Sequence, residues 1–146
     1  MVLAAKDVAE SDFLTMKKET NALEGARAMK EKKHGYIVIN SSDDRNSRPV
    51  GIVTEWDYLS KIVAEGKDPS RVTLEEIMSS GVITVQSGED IISIAKLMHQ
   101  KGIRRVLVLE GGNLIGIITS KTVLASLEDY VNRLSAQIAR LSSPTF

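Results

Sequence analysis

The sequence predicts an α/β fold of the α+β type, with two β-α-β-β-α copies packed sheet to sheet about a pseudo-twofold axis. Three observations predict it. The stretch VGIVTEWD, residues 50–57, returns as IGIITSKT, residues 115–122. Residues 7–39 align on 76–108 at a constant offset of 69, which lays Phe13-Leu14-Thr15-Met16 on Val82-Ile83-Thr84-Val85. The offset then falls to 65, because the loop NSSDDRNSRP of the first copy is four residues longer. A period of this size marks one supersecondary unit used twice.

Each copy opens with a short β-rich piece, 13–16 and 82–85. A helix follows, because Leu23, Ala26 and Met29, and then Ile91, Ala95 and Met98, recur at helical spacing. Two further β-rich runs come next, Tyr36–Ile39 with Val50–Val53, and Val106–Leu109 with Leu114–Ile118. In the second copy Glu110-Gly111-Gly112-Asn113 separates them, a hairpin signal. A second helix starts after each threonine, roughly 55–65 and from 120 onward. Residues 5–64 and 73–128 are thus the two motifs. Residues 65–72 form a linker, where Glu65-Gly66-Lys67-Asp68-Pro69-Ser70 is turn chemistry. Residues 129–146 form a tail. Leu124, Leu127, Val131, Leu134, Ile138 and Leu141 make an a/d seam that either lies on its own module or pairs between chains, and Pro144 ends it.

Composition narrows the function classes. Nineteen basic residues balance nineteen acidic ones, where a nucleic-acid binder would carry a basic excess. The absence of cysteine excludes disulfides, thiolate metal sites and cysteine nucleophiles. No apolar run reaches the length of a membrane span, and the N-terminal stretch does not read as a secretory signal; a cytoplasmic protein is expected. His34 and His99 have no acidic partner at ligand spacing, so no metal site is expected. No nucleophile–base pair or phosphate-cradling glycine loop is present, so no enzyme is expected. SSDDRNS, residues 41–47, reads as a flexible polar loop.

The stretch EEIMSSGVITVQSGEDIISIAKLMHQKGIRRVLVLEGGNLIGIITSKTVL, with its counterpart in the first copy, resembles the cystathionine β-synthase (CBS) domain. The pair resembles a CBS tandem, or Bateman module. That resemblance implies a regulatory module without chemistry of its own, often binding adenosine-containing ligands between the motifs and commonly forming homodimers. AMP, ADP or ATP is the first expectation. S-adenosylmethionine or methylthioadenosine is the second, and a ligand-free interaction module is the competing one.

The T-x-x-D turn admits two readings. Thr54 at an N-cap and Asp57 three residues on have capping-box spacing, so Asp57 could serve the helix alone. A helix N-terminus with a hydroxyl and a carboxylate could equally seat a phosphate and a vicinal diol. The resemblance implies the latter, with Asp57 on the ribose and Thr54 toward the phosphate. The second copy keeps Thr119 but has Thr122 in place of the acid, so one full site and one degraded site are expected. Arg104, Arg105 and Lys121 are the candidate phosphate cations. Adjacent strand residues point to opposite faces, so at most one of the two arginines is expected in a given cleft. His34 is a further candidate. Adenine is expected against Phe13-Leu14-Thr15, with Trp56 flanking it or covering the sheet.

Overall fold

The computed structural model describes residues 3–142. The first copy runs α1 (Ala5–Val8), β1 (Thr15–Lys17), α2 (Ala22–Lys32), β2 (Tyr36–Asn40), β3 (Gly51–Thr54) and α3 (Glu55–Tyr58), which passes into a π-helical turn over Leu59–Val63. The second runs α4 (Leu74–Ile77), β4 (Thr84–Gln86), α5 (Ile91–Lys101), β5 (Arg105–Glu110), β6 (Asn113–Thr119) and α6 (Ser120–Ser142). Each copy makes its own three-stranded sheet, in the order β1-β2-β3 or β4-β5-β6. The first pair of each sheet is parallel and the second antiparallel.

Local chemistry sets the element ends. Asn21 and Asp90 are equivalent N-caps, accepting from Glu24 N and Ser93 N. Both helices stop at a left-handed residue, Lys33 in one copy and Gly102 in the other. The β5–β6 hairpin turns on Gly111 and Gly112, with φ of 56° and 82°, the conformation a two-residue turn of the I′ type requires. Strands β1 and β4 begin two residues later than the β-rich pieces, because their ladders start at Thr15↔Val38 and Thr84↔Leu107.

Three apolar clusters form the core. One lies between the sheets: Phe13, Tyr36, Val38, Leu107, Leu109, Leu114 and Ile117. The other two lie under the helices of each copy, and each is completed from the opposite copy. Ala5 of α1 sits fully buried with Val85, Ile91 and Ile94, while Leu74 and Ile77 of α4 sit with Ala22, Met29 and Ile37. Backbone bonds fix the exchange. Ala5 N donates to Glu89 O at 2.7 Å, and Leu74 N donates to Thr20 O at 2.8 Å.

No break separates the second copy from the tail: α6 runs through residues 128 and 129. Its described residues from 131 onward are all exposed, including Val131, Leu134, Ile138 and Leu141. Leu127 packs against the second copy's core, but from Val131 onward the seam does not lie on its own module. Pro144 is outside the described residues.

Candidate functional site between the two copies

The T-x-x-D turn folds as its spacing demands. Thr54 is extended at the N-cap of α3, with φ −124° and ψ 170°. Asp57 Oδ2 accepts from Thr54 N at 2.8 Å and from Thr54 Oγ1 at 3.3 Å. Its other oxygen lies 2.9 Å from Lys61 Nζ, and Lys61 also donates to Ile77 O. Asp57 is only 4% exposed. A carboxylate satisfied on both oxygens suits a buried position, since an unpaired charge would be costly there.

In the second copy Thr119 Oγ1 and Thr122 Oγ1 are 3.0 Å apart, and Thr122 N donates to Thr119 Oγ1. A carboxylate is nonetheless present. Thr122 Oγ1 donates to Glu10 Oε1 at 3.0 Å, an acid from the lead-in of the first copy.

A cleft of about 740 Å³ opens between the copies, a size suited to a small-molecule ligand. One side is the first copy's turn, Thr54, Glu55 and Trp56, with Gly35 beneath it. The opposite side is Gly81, Val82 and Ile83, and Arg104 and Arg105 lie at the entry to β5. Gly35 leaves room for the Glu55 carboxylate and the Arg105 guanidinium, which would have to swing aside for a larger residue. A Cβ at that position would fall 1.8 Å from Glu55 Oε1 and 3.1 Å from Arg105 Nη2. The cleft therefore unites a helix start, two guanidinium groups, an aliphatic wall and an indole that is 68% exposed.

Of the expected site residues, Thr54, Trp56, Arg104 and Arg105 meet in this cleft. Both arginines line it, not one. Strand β5 starts at Arg105, so the alternation of faces does not extend back to Arg104. The aliphatic wall is Val82-Ile83, the equivalents of Phe13-Leu14, and not Phe13-Leu14-Thr15 themselves. Phe13 is buried between the sheets, Leu14 packs against the first copy's core, and Thr15 is in the β1 ladder. Asp57, His34, Thr119 and Lys121 do not line the cleft. Lys121 is exposed at the start of α6, and His34 packs beside Tyr36 with ring centroids 5.2 Å apart.

Sequence reasoning missed three residues. Tyr36 is the counterpart of Arg105, and the two stack with the guanidinium carbon 5.4 Å from the ring centroid. Burial, followed by the charge of Glu10, pushes the Tyr36 hydroxyl up to about 12. Arg45 lies in the loop read as flexible, yet its Nη2 donates to Ser11 O at 2.8 Å and Phe13 O at 2.9 Å. Glu10 is the third. Their partners are far away in sequence, and only the offset alignment, which pairs Tyr36 with Arg105, held a signal for any of them.

Among the described residues no helix is long and apolar enough to cross a membrane, and no group of His, Cys, Asp and Glu is placed to hold a metal ion. An uncharacterised protein of Methanopyrus kandleri is 40% identical over 126 residues, covering 86% of this chain and 62% of that protein. A homoserine O-acetyltransferase of Methanohalobium evestigatum is 34% identical over 125 residues, covering 85% of this chain but 24% of that protein. The chain thus spans less than two-thirds of either relative.

Among solved structures, the hexameric CBS-CP12 protein from bloom-forming cyanobacteria superposes with a TM-score of 0.75 at 31% identity, over 85% of this chain and 67% of that one. An uncharacterised conserved protein from Pyrococcus horikoshii gives a TM-score of 0.76 at 26% identity, over 86% of this chain and 92% of that one. The CBS domain model matches residues 5–64 and again 74–129. With two matching segments on two equivalent sheets, the chain belongs to the CBS-domain family and carries the domain as a tandem pair.

Proposed function

We propose that this chain is a regulatory, non-catalytic module that binds an adenosine-containing nucleotide, AMP, ADP or ATP, in the cleft between Thr54 and Val82. The observation that carries the reading is the pairing of one copy's helix start with the other copy's arginines across one cleft. Arg104 and Arg105 favour a phosphate on their side of the cleft, away from the Glu55 carboxylate. Val82, Ile83 and Trp56 supply apolar surface for a purine. Asp57 is the candidate ribose acceptor; it is buried and does not line the cleft, so to reach a diol the turn at Thr54 must open and Lys61 must give way to ligand hydroxyls. A nucleotide that fits one arrangement of the copies better shifts the population toward it, which is how such a module signals without chemistry.

A thermal-shift panel of AMP, ADP, ATP, S-adenosylmethionine and methylthioadenosine tests the reading. A ligand at 100 times its dissociation constant adds about 2.7 kcal/mol of stability. Stabilisation by the last two alone would move the assignment to adenosyl thioethers. No stabilisation by any of the five would remove it.

A second reading, assembly, rests on the exposed seam of α6. We propose that a second copy of this chain covers it. Asp129 and Arg133 pair within the helix, which leaves Glu128 near its start and Arg140 near its end, so an antiparallel pair sets acid against base.

A further inference from the structure

Among the described residues that line the cleft three carry charge: Arg104 and Arg105 from the second copy and Glu55 from the first. The backbone fixes the acid in place, since Glu55 N donates to Gly35 O at 3.2 Å. The bare backbone of Gly35 then brings opposite charges over one patch. A Cβ there would meet Glu55 Oε1, with Arg105 Nη2 3.1 Å away on the same side. Glu55 nonetheless has no ion-pair partner among the described residues. The fold does not call for its carboxylate. In the second copy Ser120 makes the equivalent bond, donating from its N–H to Arg104 O at 2.8 Å, and needs no acid to do so.

Arg105 has little freedom to leave this arrangement. Its guanidinium stacks on Tyr36, 5.4 Å from the ring centroid, and its Nε is buried. Tyr36 is the equivalent residue of the first copy and is 3% exposed in the core between the sheets, so the two meet beside the pseudo-twofold axis. A guanidinium held there cannot follow an anion outward. Arg104, one residue earlier, is exposed.

The charges in the cleft match one phosphate. A phosphate monoester carries about −1.5 to −2 charges at pH 7, which two guanidinium groups balance. A second or third phosphate adds negative charge with no further cation in the described lining to receive it. Extended one way, the longer chain meets Glu55 across Gly35; extended the other, it leaves the cleft for solvent. We propose that Glu55 limits the cleft to a single phosphate, so that the chain responds to a nucleoside monophosphate and not to its di- or triphosphate. This selectivity rests on the nucleotide reading above.

Calorimetry with AMP and ATP tests it, in buffer free of divalent cations so that ATP keeps its full charge. Glu55 is exposed, so Glu55→Gln and Glu55→Lys should keep the fold, with melting curves verifying it. In the wild type AMP should bind about tenfold tighter than ATP, the size expected for one like charge nearby in a screened surface cleft. Glu55→Gln should cut that ratio by about fivefold or more, and Glu55→Lys should bring ATP ahead of AMP. A lost contact would weaken both ligands together, whereas a lost carboxylate charge favours ATP over AMP.

ATP as tight as AMP in the wild type, or a ratio indifferent to the charge at residue 55, overturns the role of Glu55 and leaves the nucleotide reading standing. No uptake of AMP or ATP by any of these proteins overturns the nucleotide reading instead. Inorganic phosphate and tripolyphosphate, followed by the fluorescence of Trp56, the single tryptophan, then decide the role of Glu55 alone. A preference for the longer anion that rises from wild type through Glu55→Gln to Glu55→Lys supports it. An unchanged preference, or no response to either anion, overturns it.

Discussion

A carboxylate three residues after a threonine can serve its own helix or a ligand, and Asp57 is already committed to the helix through Thr54 N–H and Oγ1 and to Lys61. Asp57→Ala leaves the Thr54 N–H without its acceptor, and chemical denaturation should show a loss of about 1–3 kcal/mol. Asp57→Asn separates the two roles, because the asparagine side-chain oxygen can still accept from Thr54 N at the third position of the helix. It should cost less stability than Asp57→Ala, about 1 kcal/mol, the difference between a charge-assisted and a neutral hydrogen bond. Removing the charge from the ribose acceptor should weaken AMP about tenfold, the equivalent of about 1.4 kcal/mol. Equal AMP affinities for Asp57→Asn and wild type by calorimetry would reduce Asp57 to a helix cap. The cap was legible in the sequence because it joins residues three apart. The carboxylate of Glu10 on Thr122 joins residues 112 apart, a distance at which no local pattern says which acid meets which hydroxyl.

Helices and strands were legible wherever one period dominates, as in Ile91–Lys101 and in the Gly-Gly hairpin. The π-helical turn after Tyr58 was not, although a serine marks it: Ser60 Oγ donates to Trp56 O at 2.7 Å, competing with the helical ladder. The heptad spacing of α6 identified a seam but not what covers it. The structure removes one choice, since Val131 and Ile138 are 56% and 64% exposed and cannot be covering their own module. If a second copy covers them, truncation after Tyr130 deletes Val131, Leu134, Ile138 and Leu141 from the interface. Each large aliphatic buried contributes about 1.5–3 kcal/mol before entropic losses, so the dimer should weaken by tenfold or more. Light scattering at low micromolar concentration should then report a smaller mass for the truncated chain than for the full one. Identical masses would place any dimer contact elsewhere.

At the scale of the molecule the two copies are interdependent in a way the repeat did not reveal. The repeat predicted one shared core between the sheets; α1 and α4 add two exchanged cores, Ala5 completing the second copy and Leu74 the first. Alignment sets these lead-ins at equivalent positions but cannot say into which copy each folds. A fragment of residues 73–128 lacks both Ala5 and the facing sheet. It should lose cooperative unfolding by circular dichroism or pair with itself; a cooperatively folding monomer would contradict the exchange. The same interdependence puts Thr54 and Arg105, from different copies, on one cleft, and the functional account depends on that cleft. The most direct test is a fluorescence titration of Trp56 with AMP, repeated in Arg104→Ala/Arg105→Ala. The account predicts a saturable change in the wild type at one AMP per chain, weakened about tenfold or more when the charge-assisted contacts are removed. No change at millimolar AMP, or a change indifferent to the loss of both arginines, would contradict it.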